Sequence, residues 1–461
     1  MKRFNKMAYE TPEDMVFGHA TKPVTAVRDF KVGAGFVIPE LNVAPAEGAE
    51  VSKEKMNNEM KNIAYSACER AVGIGLPAFQ LEQEHISQQT SNPDWVAENT
   101  KIAVDVLEEF QDKYGIKTAY RATPADIRDE EKNFQMDDSP QYNLIMESCE
   151  AAVENGASFI SIESVGGKSV SDYGIARADI KAMLFGIGVL GSMDMENMWT
   201  EIVKIAGKSK ALPAGDTDCS QSNTAMFLAG GLTTKDNPHT LAALARAMGA
   251  ARSLTAVECG AVGPLKDCGY ENPIIKAISG VPIATEGKDA VCAHSDLMGN
   301  LVAAVTDVWS NESVYHREEM GGTTPQVWLQ ALGYETALMN ASIEMGEEKT
   351  LRDIYTLADK YRDPQALILA YDNAYRIGEA IIKYADDPYL RAKAAAIEAG
   401  NIINEAVDAK KLYLTRFEKD SLDNAMKILE GLTDEADKFT KDCIRRYKRR
   451  VHDFNPKNYG L

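Results

Sequence analysis

The chain has 461 residues, 50 Lys+Arg against 69 Asp+Glu, a formal net charge of −19 and seven cysteines. The acidic balance argues against nucleic acid or an anionic membrane surface as the main partner. The odd, scattered cysteines exclude a disulfide framework and point to a reducing compartment.

With 45% hydrophobic and 26% charged residues, the chain can bury a sizeable core without covalent staples. Its length suits one large α/β barrel with an extension, or two or three smaller domains. The basic start is followed by Glu10, Glu13 and Asp14 rather than by an apolar stretch, so no targeting segment is read there. The longest apolar run, around Ala182 to Leu190, is about half the ~20 residues of a membrane span. The reading is a soluble, cytoplasmic protein.

In chain order, Gly35-Phe36-Val37-Ile38 predicts a strand ending at Pro39. Ser52 to Val72 follows with Met56, Met60, Ile63, Ala67 and Val72 at helical spacing, closed by Gly73 and Gly75. Ala78 to Leu81 is the next strand run, Trp95 to Phe110 the next helix, and Thr118 to Arg121 another strand. A helix over 142–153 precedes Ser158 to Ile162, the clearest strand of the chain. Further strand runs are expected near Ala211-Leu212-Pro213, Leu254 to Val257 and Val281 to Ala284. Strand and helix alternating seven or eight times signals a mostly parallel sheet. The span fits a TIM-type (β/α)₈ barrel of ~250 residues with insertions; periodicity alone does not separate it from an open doubly wound sheet.

Beyond about residue 320 the pattern turns wholly helical, with amphipathic segments predicted over 325–345, 351–360, 364–384, 388–412 and 419–438. The expected organisation is a barrel with an N-terminal extension over 1–320 and a helical region over 321–461 packed on it.

Several motifs carry more than one reading. Gly186-Ile187-Gly188-Val189-Leu190-Gly191 matches G-x-G-x-x-G, but a dinucleotide loop should follow a strand and open a helix, whereas here a helix is already running. A closely packed, Gly-interrupted helix is the better reading. Lys441 to Arg450 carries six Lys/Arg; a solvated terminal helix outweighs a nucleic-acid patch. His294 lies two residues after Cys292, a pair too small to make a metal site, and H-E-x-x-H is absent.

Cys68, Cys149 and Cys443 fall in helical patterns and read as buried small residues. Cys219, in Pro213-Ala-Gly-Asp-Thr-Asp-Cys-Ser-Gln-Ser222, and Cys268, in Gly263-Pro-Leu-Lys-Asp-Cys-Gly-Tyr-Glu-Asn-Pro273, lie in polar loops just after strand runs. Such loops gather at the C-terminal face of a parallel barrel, where active sites form. Glu163 ends the Phe159–Ile162 run in the equivalent place, and a glutamate there needs a reason. One Glu and two Cys would leave an open fourth position, the catalytic zinc pattern, with thiolates selecting zinc over magnesium or calcium. Their separations match no local metal motif, and Cys259 competes with Cys268.

Three segments carry a resemblance: Ser161-Ile-Glu-Ser-Val-Gly-Gly-Lys-Ser-Val170, Ala214-Gly-Asp-Thr-Asp-Cys-Ser-Gln-Ser-Asn223 and Leu265-Lys-Asp-Cys-Gly-Tyr-Glu-Asn-Pro273. The chain resembles, over its whole length, the methanol–corrinoid protein methyltransferases of methanogenic archaea. The resemblance implies a TIM-like barrel with extra helices and one zinc per chain, held by Glu163, Cys219 and Cys268. It implies methanol as substrate, a corrinoid-carrying partner subunit as methyl acceptor, and a homodimer within a larger hetero-oligomer. Zinc would act as a Lewis acid on the methanol oxygen, whose hydroxide is otherwise a poor leaving group.

Asp218 and Asp267 each precede a cysteine of the set and are candidates to support it or to move protons; each reads equally as a solvated loop carboxylate. The sequence names no general base. Two rival readings keep the barrel: a zinc methyltransferase using a thiol substrate, and a non-catalytic scaffold that docks a corrinoid protein around a closed four-ligand metal, with Cys259 or His294 as the extra ligand.

Overall fold

The computed structural model describes residues 3–128, 134–217, 219–230, 237–266, 270–294 and 297–461, without the side chains of residues 289, 293 and 294. An antiparallel hairpin, β1 (His19–Ala26) and β2 (Phe30–Ala34), opens the chain. Seven parallel strands follow: β3 (Ile38–Ala44), β4 (Ala78–Glu84), β5 (Lys117–Thr123), β6 (Phe159–Ile162), β7 (Leu212–Asp216), β8 (Ala284–Glu286) and β9 (Val308–Val314), in the order β7-β6-β5-β4-β3-β9-β8.

The place between β7 and β8 is filled by the backbone around Leu265. Leu265 bridges Ile283 in parallel. The Val262 N–H donates to the Pro213 carbonyl at 2.8 Å, and the Ala284 N–H to the Leu265 carbonyl at 2.6 Å. That eighth position closes the sheet on itself, so the barrel, not the open sheet, is the architecture. Hydrogen bonds from this segment thus engage the outer edges of both β7 and β8.

The barrel interior explains which strands the hydrophobic pattern reveals. At its N-terminal end the inward residues are apolar: Ile38, Ala119, Phe159, Ala214, Ala284 and Val308 pack against Ala26, Phe30 and Val32 of the hairpin, which plugs that end. One layer up, the interior becomes polar. Arg121 donates from Nε to Glu40 Oε2 at 3.0 Å and from Nη1 to Ser161 Oγ at 3.1 Å and the Pro264 carbonyl at 2.9 Å. This single side chain therefore ties the short eighth position to β3, β5 and β6. Lys266 Nζ reaches Glu82 Oε2 at 2.5 Å, and Thr123 Oγ1 donates to Glu82 Oε1 at 2.7 Å.

Several expectations are corrected. Leu254 to Val257 is not a strand but the last part of the His239–Cys259 helix, which is buried on every side from Thr240 to Glu258. A short apolar run cannot distinguish a buried strand from a buried helix. β3 starts at Ile38 and includes Pro39, whereas the strand was expected to end there; Pro is tolerated in the first residues of a strand. β9 was not anticipated, because its inward Ser310 and Glu312 break the apolar run. The predicted 364–384 helix is two, Pro364–Leu369 and Tyr371–Ile382, broken at Ala370 where ψ is 134°. The predicted 419–438 helix is likewise two, Arg416–Gly431 and Ala436–Tyr447.

The remaining helices cover the barrel. Ser52 caps the Lys53–Gly73 helix by accepting from the Lys55 N–H at 3.2 Å. The Thr324–Met345 helix lies on β3 and β9, and the Ala-rich Pro388–Asp408 helix lies along His239–Cys259. One continuous apolar core joins barrel and C-terminal helices. Among the described residues no helix is long and apolar enough to cross a membrane.

Candidate metal centre at the carboxyl end of the barrel

Two of the three expected ligands are described, and they end neighbouring strands. Glu163 directly follows β6 and bridges Ala125 in parallel. Cys219 lies three residues past the end of β7 and is the N-cap of the Ser220–Ala229 helix. Its thiol is buried, with Sγ 3.3 Å from Gln221 Oε1, at a helix end whose dipole favours an anion.

Hydrogen bonds fasten the two turns together. Ser164 donates to Asp216 Oδ2 from Oγ at 2.9 Å and from its backbone N–H at 3.3 Å. Gln221 Nε2 donates to the Gly166 carbonyl at 2.6 Å, and Ser220 Oγ to the Ser164 carbonyl at 3.4 Å. Asp216, the last residue of β7, also accepts from Trp199 Nε1 at 3.2 Å.

The backbone amides after Glu163 each find a buried acceptor, as buried N–H groups must. Val165 donates to Asp126 Oδ2 at 3.0 Å, Gly166 to Asp194 Oδ2 at 3.2 Å, and Gly167 to the Tyr459 hydroxyl at 2.8 Å. Arg128 lies between the two carboxylates, Nη2 at 2.5 Å from Asp126 and Nη1 at 2.7 Å from Asp194. The turn is thus held by the barrel, by the Ser192–Gly207 helix and by the C-terminal segment at once.

The glycine-rich run acquires a structural meaning here. Phe185–Gly191 is a buried π-helical segment within a continuous helical stretch, as the sequence reading expected, and not a phosphate loop between strand and helix. Gly167 has φ +84°, and a Cβ on it would sit 2.1 Å from the Gly186 carbonyl oxygen. Gly167→Ala is therefore expected to cost about 3 kcal/mol or more in chemical denaturation, from the left-handed backbone and the backbone clash together. A loss below about 1 kcal/mol would mean that the turn and the π-helical segment are not locked against each other.

Charge at the barrel mouth is crowded and negative. The surrounding protein, then Glu84 and Asp216, push the Glu163 carboxyl up to about 7 against Lys168 and Arg252, although its side chain still reaches solvent in the mouth. Glu312 is held well above the ordinary carboxylate range by Glu84, then burial, then Glu286. Burial, followed by Glu82, raises Glu84 even with Lys266 beside it. A divalent cation would relieve this repulsion. A soft buried thiol next to a carboxylate suits zinc, so the described residues fit the metal that the sequence reading expected.

Cys268, Asp218 and Asp267 lie outside the described residues, as does the side chain of His294. Among the described residues no three His, Cys, Asp or Glu side chains gather at metal-ligand spacing. Cys259 ends the His239–Cys259 helix, its Sγ 3.8 Å from Thr200 Oγ1, at the end that leads into the barrel rather than at the mouth. It does not compete for the site. Cys292 is exposed; Cys68, Cys149 and Cys443 are buried in helices, as expected. The basic C-terminal helix is partly consumed internally: Arg446 pairs with Asp179 at 3.0 Å, and Lys181 and Arg445 with Asp442. A separate apolar cavity of about 810 Å³, lined by Phe36, Leu76 and Tyr334 among others, lies beside the start of β3, away from the mouth.

A closed (β/α)₈ barrel with a carboxylate and a thiol at adjoining strand ends defines a barrel enzyme whose chemistry sits at the carboxyl ends of its strands. Residues 1–460 match the family described as methanol–cobalamin methyltransferase B subunit. The chain is 51% identical over 460 residues to a methanol–corrinoid protein co-methyltransferase of Methanosarcina barkeri, covering 100% of this chain and 99% of the relative. It superposes with a TM-score of 0.97, at 51% identity and 100% of both chains, on a chain in the crystal structure of the methanol:cobalamin methyltransferase complex MtaBC from Methanosarcina barkeri. The chain belongs to the methanol–cobalamin methyltransferase B subunit family, which bears out the resemblance read from its three loops.

Proposed function

We propose that this chain transfers the methyl group of methanol to the reduced cobalt of a corrinoid protein, using one zinc held by Glu163, Cys219 and Cys268. The observation that carries the reading is the placement of Glu163 and Cys219 at neighbouring strand ends, at the mouth of the barrel, in a chain that matches this family over residues 1–460. Bound there, zinc supplies a Lewis acid that draws electron density from the methanol oxygen.

The chain's own residues do the rest. The turns at 163–167 and 216–220 fix the direction in which their two donor groups face. The apolar plug and the polar layer beneath the mouth exclude water from below. The balanced reaction, methanol plus Co(I) plus a proton giving methyl-Co(III) and water, consumes one proton. The crowded carboxyls Glu84 and Glu312 hold protons more readily than ordinary carboxylates and lie at the mouth. The reading extends to a homodimer within a larger complex with the corrinoid protein, and to the cytoplasm, the reducing compartment to which the odd, scattered cysteines of the sequence point.

The test is an acceptor assay on the zinc-loaded protein. Methyl-cobalt is expected to form from methanol and a Co(I) corrinoid, with about one zinc per chain. Demethylation of methyl-cobalt by a thiol, with no methyl-cobalt formed from methanol, would overturn the reading in favour of a thiol substrate. A metal with no exchangeable coordination position and no turnover of either kind would favour a docking scaffold.

A further inference from the structure

We propose that Arg252 is a positioning residue for the metal centre, a single guanidinium fork that fixes the spacing between the turns carrying Glu163 and Cys219. The inference rests on the zinc reading above and concerns a residue that the sequence reading did not single out.

Arg252 belongs to the His239–Cys259 helix, whose other residues over this stretch are mainly Ala, Leu and small side chains. Its own surface is fully buried. Nη2 lies 2.9 Å from the Ser164 carbonyl, 2.6 Å from Ser164 Oγ and 3.1 Å from Asp216 Oδ2. One nitrogen therefore meets the residue after Glu163 and the last residue of the strand that leads to Cys219. Nη1 donates to Ser253 Oγ at 3.2 Å, which anchors the fork to its own helix. Room for it is made by Gly191, where a Cβ would lie 3.2 Å from Arg252 Nε.

Burying a guanidinium is costly unless it is paired. Burial disfavours its charge, but Cys219, then Asp216, Glu271 and Asp194, more than reverse that effect. The cation thus feels both the Cys219 thiol and the carboxylates behind the ligand turns.

Two roles predict opposite signs. A cation near a metal site repels the metal, so a purely electrostatic Arg252 would weaken zinc, and its removal would tighten binding. A positioning Arg252 holds two ligands at one spacing, so its removal loosens them and weakens binding. Outer partners that orient metal ligands are worth about 10- to 100-fold in affinity.

The experiment measures the zinc dissociation constant of the full chain by competition with a chromophoric chelator. It is paired with the thiolate-to-metal charge-transfer band of the Co(II)-substituted protein. Arg252→Met is expected to bind zinc about 10- to 100-fold more weakly and to shift or broaden that band. Arg252→Lys, which keeps the charge but lacks the fork, should recover part of the affinity. Zinc bound by Arg252→Met as tightly as by the wild type, or more tightly, would overturn the proposal. If Arg252→Met does not fold, Arg252→Lys decides: wild-type affinity overturns the proposal and a several-fold loss supports it. A wild-type chain that binds no zinc would instead sink the zinc reading itself.

Discussion

Glu163→Gln, Cys219→Ala and Cys268→Ala are each expected to lose stoichiometric zinc and to slow methyl-cobalt formation by about a thousandfold or more, while the chain stays folded. The size follows from the several kcal/mol that a Lewis acid contributes at a leaving oxygen, each ~1.4 kcal/mol being tenfold in rate. Folding should survive for local reasons. Glu163 faces the open mouth, and Gln keeps its shape without the charge. Cys219 is small, so Ala leaves only a minor void, ~1 kcal/mol or less by the scale of core truncations. Zinc content by elemental analysis, methyl-cobalt by its absorbance and the fold by circular dichroism check the three parts separately. Cys259→Ala and Cys292→Ala serve as controls and should retain zinc, since one ends a helix away from the mouth and the other is exposed. Full activity in a zinc-free Cys219→Ala protein would show that the centre is not where the chemistry happens.

The parts of this design that were legible in the sequence are those with a local signature. β6 reads as a strand because all four of its residues are buried, and Glu163 stands out because it breaks that apolar run. Cys219 stands out because a polar, Gly-containing loop follows a strand. The barrel strand that escaped notice has a polar inward face: Ser310 and Glu312 of β9 face the same interior as Glu40 and Glu82, so no apolar run survives. The eighth position escaped because only a bridge at Leu265 and flanking hydrogen bonds define it. Leu254 to Val257 misled because a helix buried on every side loses its 3.6-residue stripe. The same helix offered a signal that went unused. Arg246 and Arg252 are long cations in an Ala-rich helix, and a charge in a wholly buried segment demands a partner. The partner of Arg252, Asp216, ends a strand in the very loop that holds Cys219. What no sequence pattern could supply is the meeting of segments far apart in the chain, such as the Gly167 amide on the Tyr459 hydroxyl.

Arg128→Met is expected to be the most destabilising single change near the site, at about 3–5 kcal/mol in chemical denaturation, the usual cost of leaving a buried charge without its partner. Here two carboxylates are stranded at once. Asp126 and Asp194 both have buried side chains, and both depend on this guanidinium. They are also the acceptors for the Val165 and Gly166 amides, so their mutual repulsion would be passed straight to the turn behind Glu163. Zinc affinity should fall with stability, although Arg128 pairs with Asp126 and Asp194 rather than with Glu163 or Cys219. A double-mutant cycle separates the two effects. Asp194→Asn in the Arg128→Met background removes one of the stranded charges and should restore part of the lost stability. The Asn side chain can still accept from the Gly166 amide, so zinc affinity should recover along with it. Stability that recovers without zinc affinity would show that the carboxylate pair holds the fold but does not aim the ligand turn.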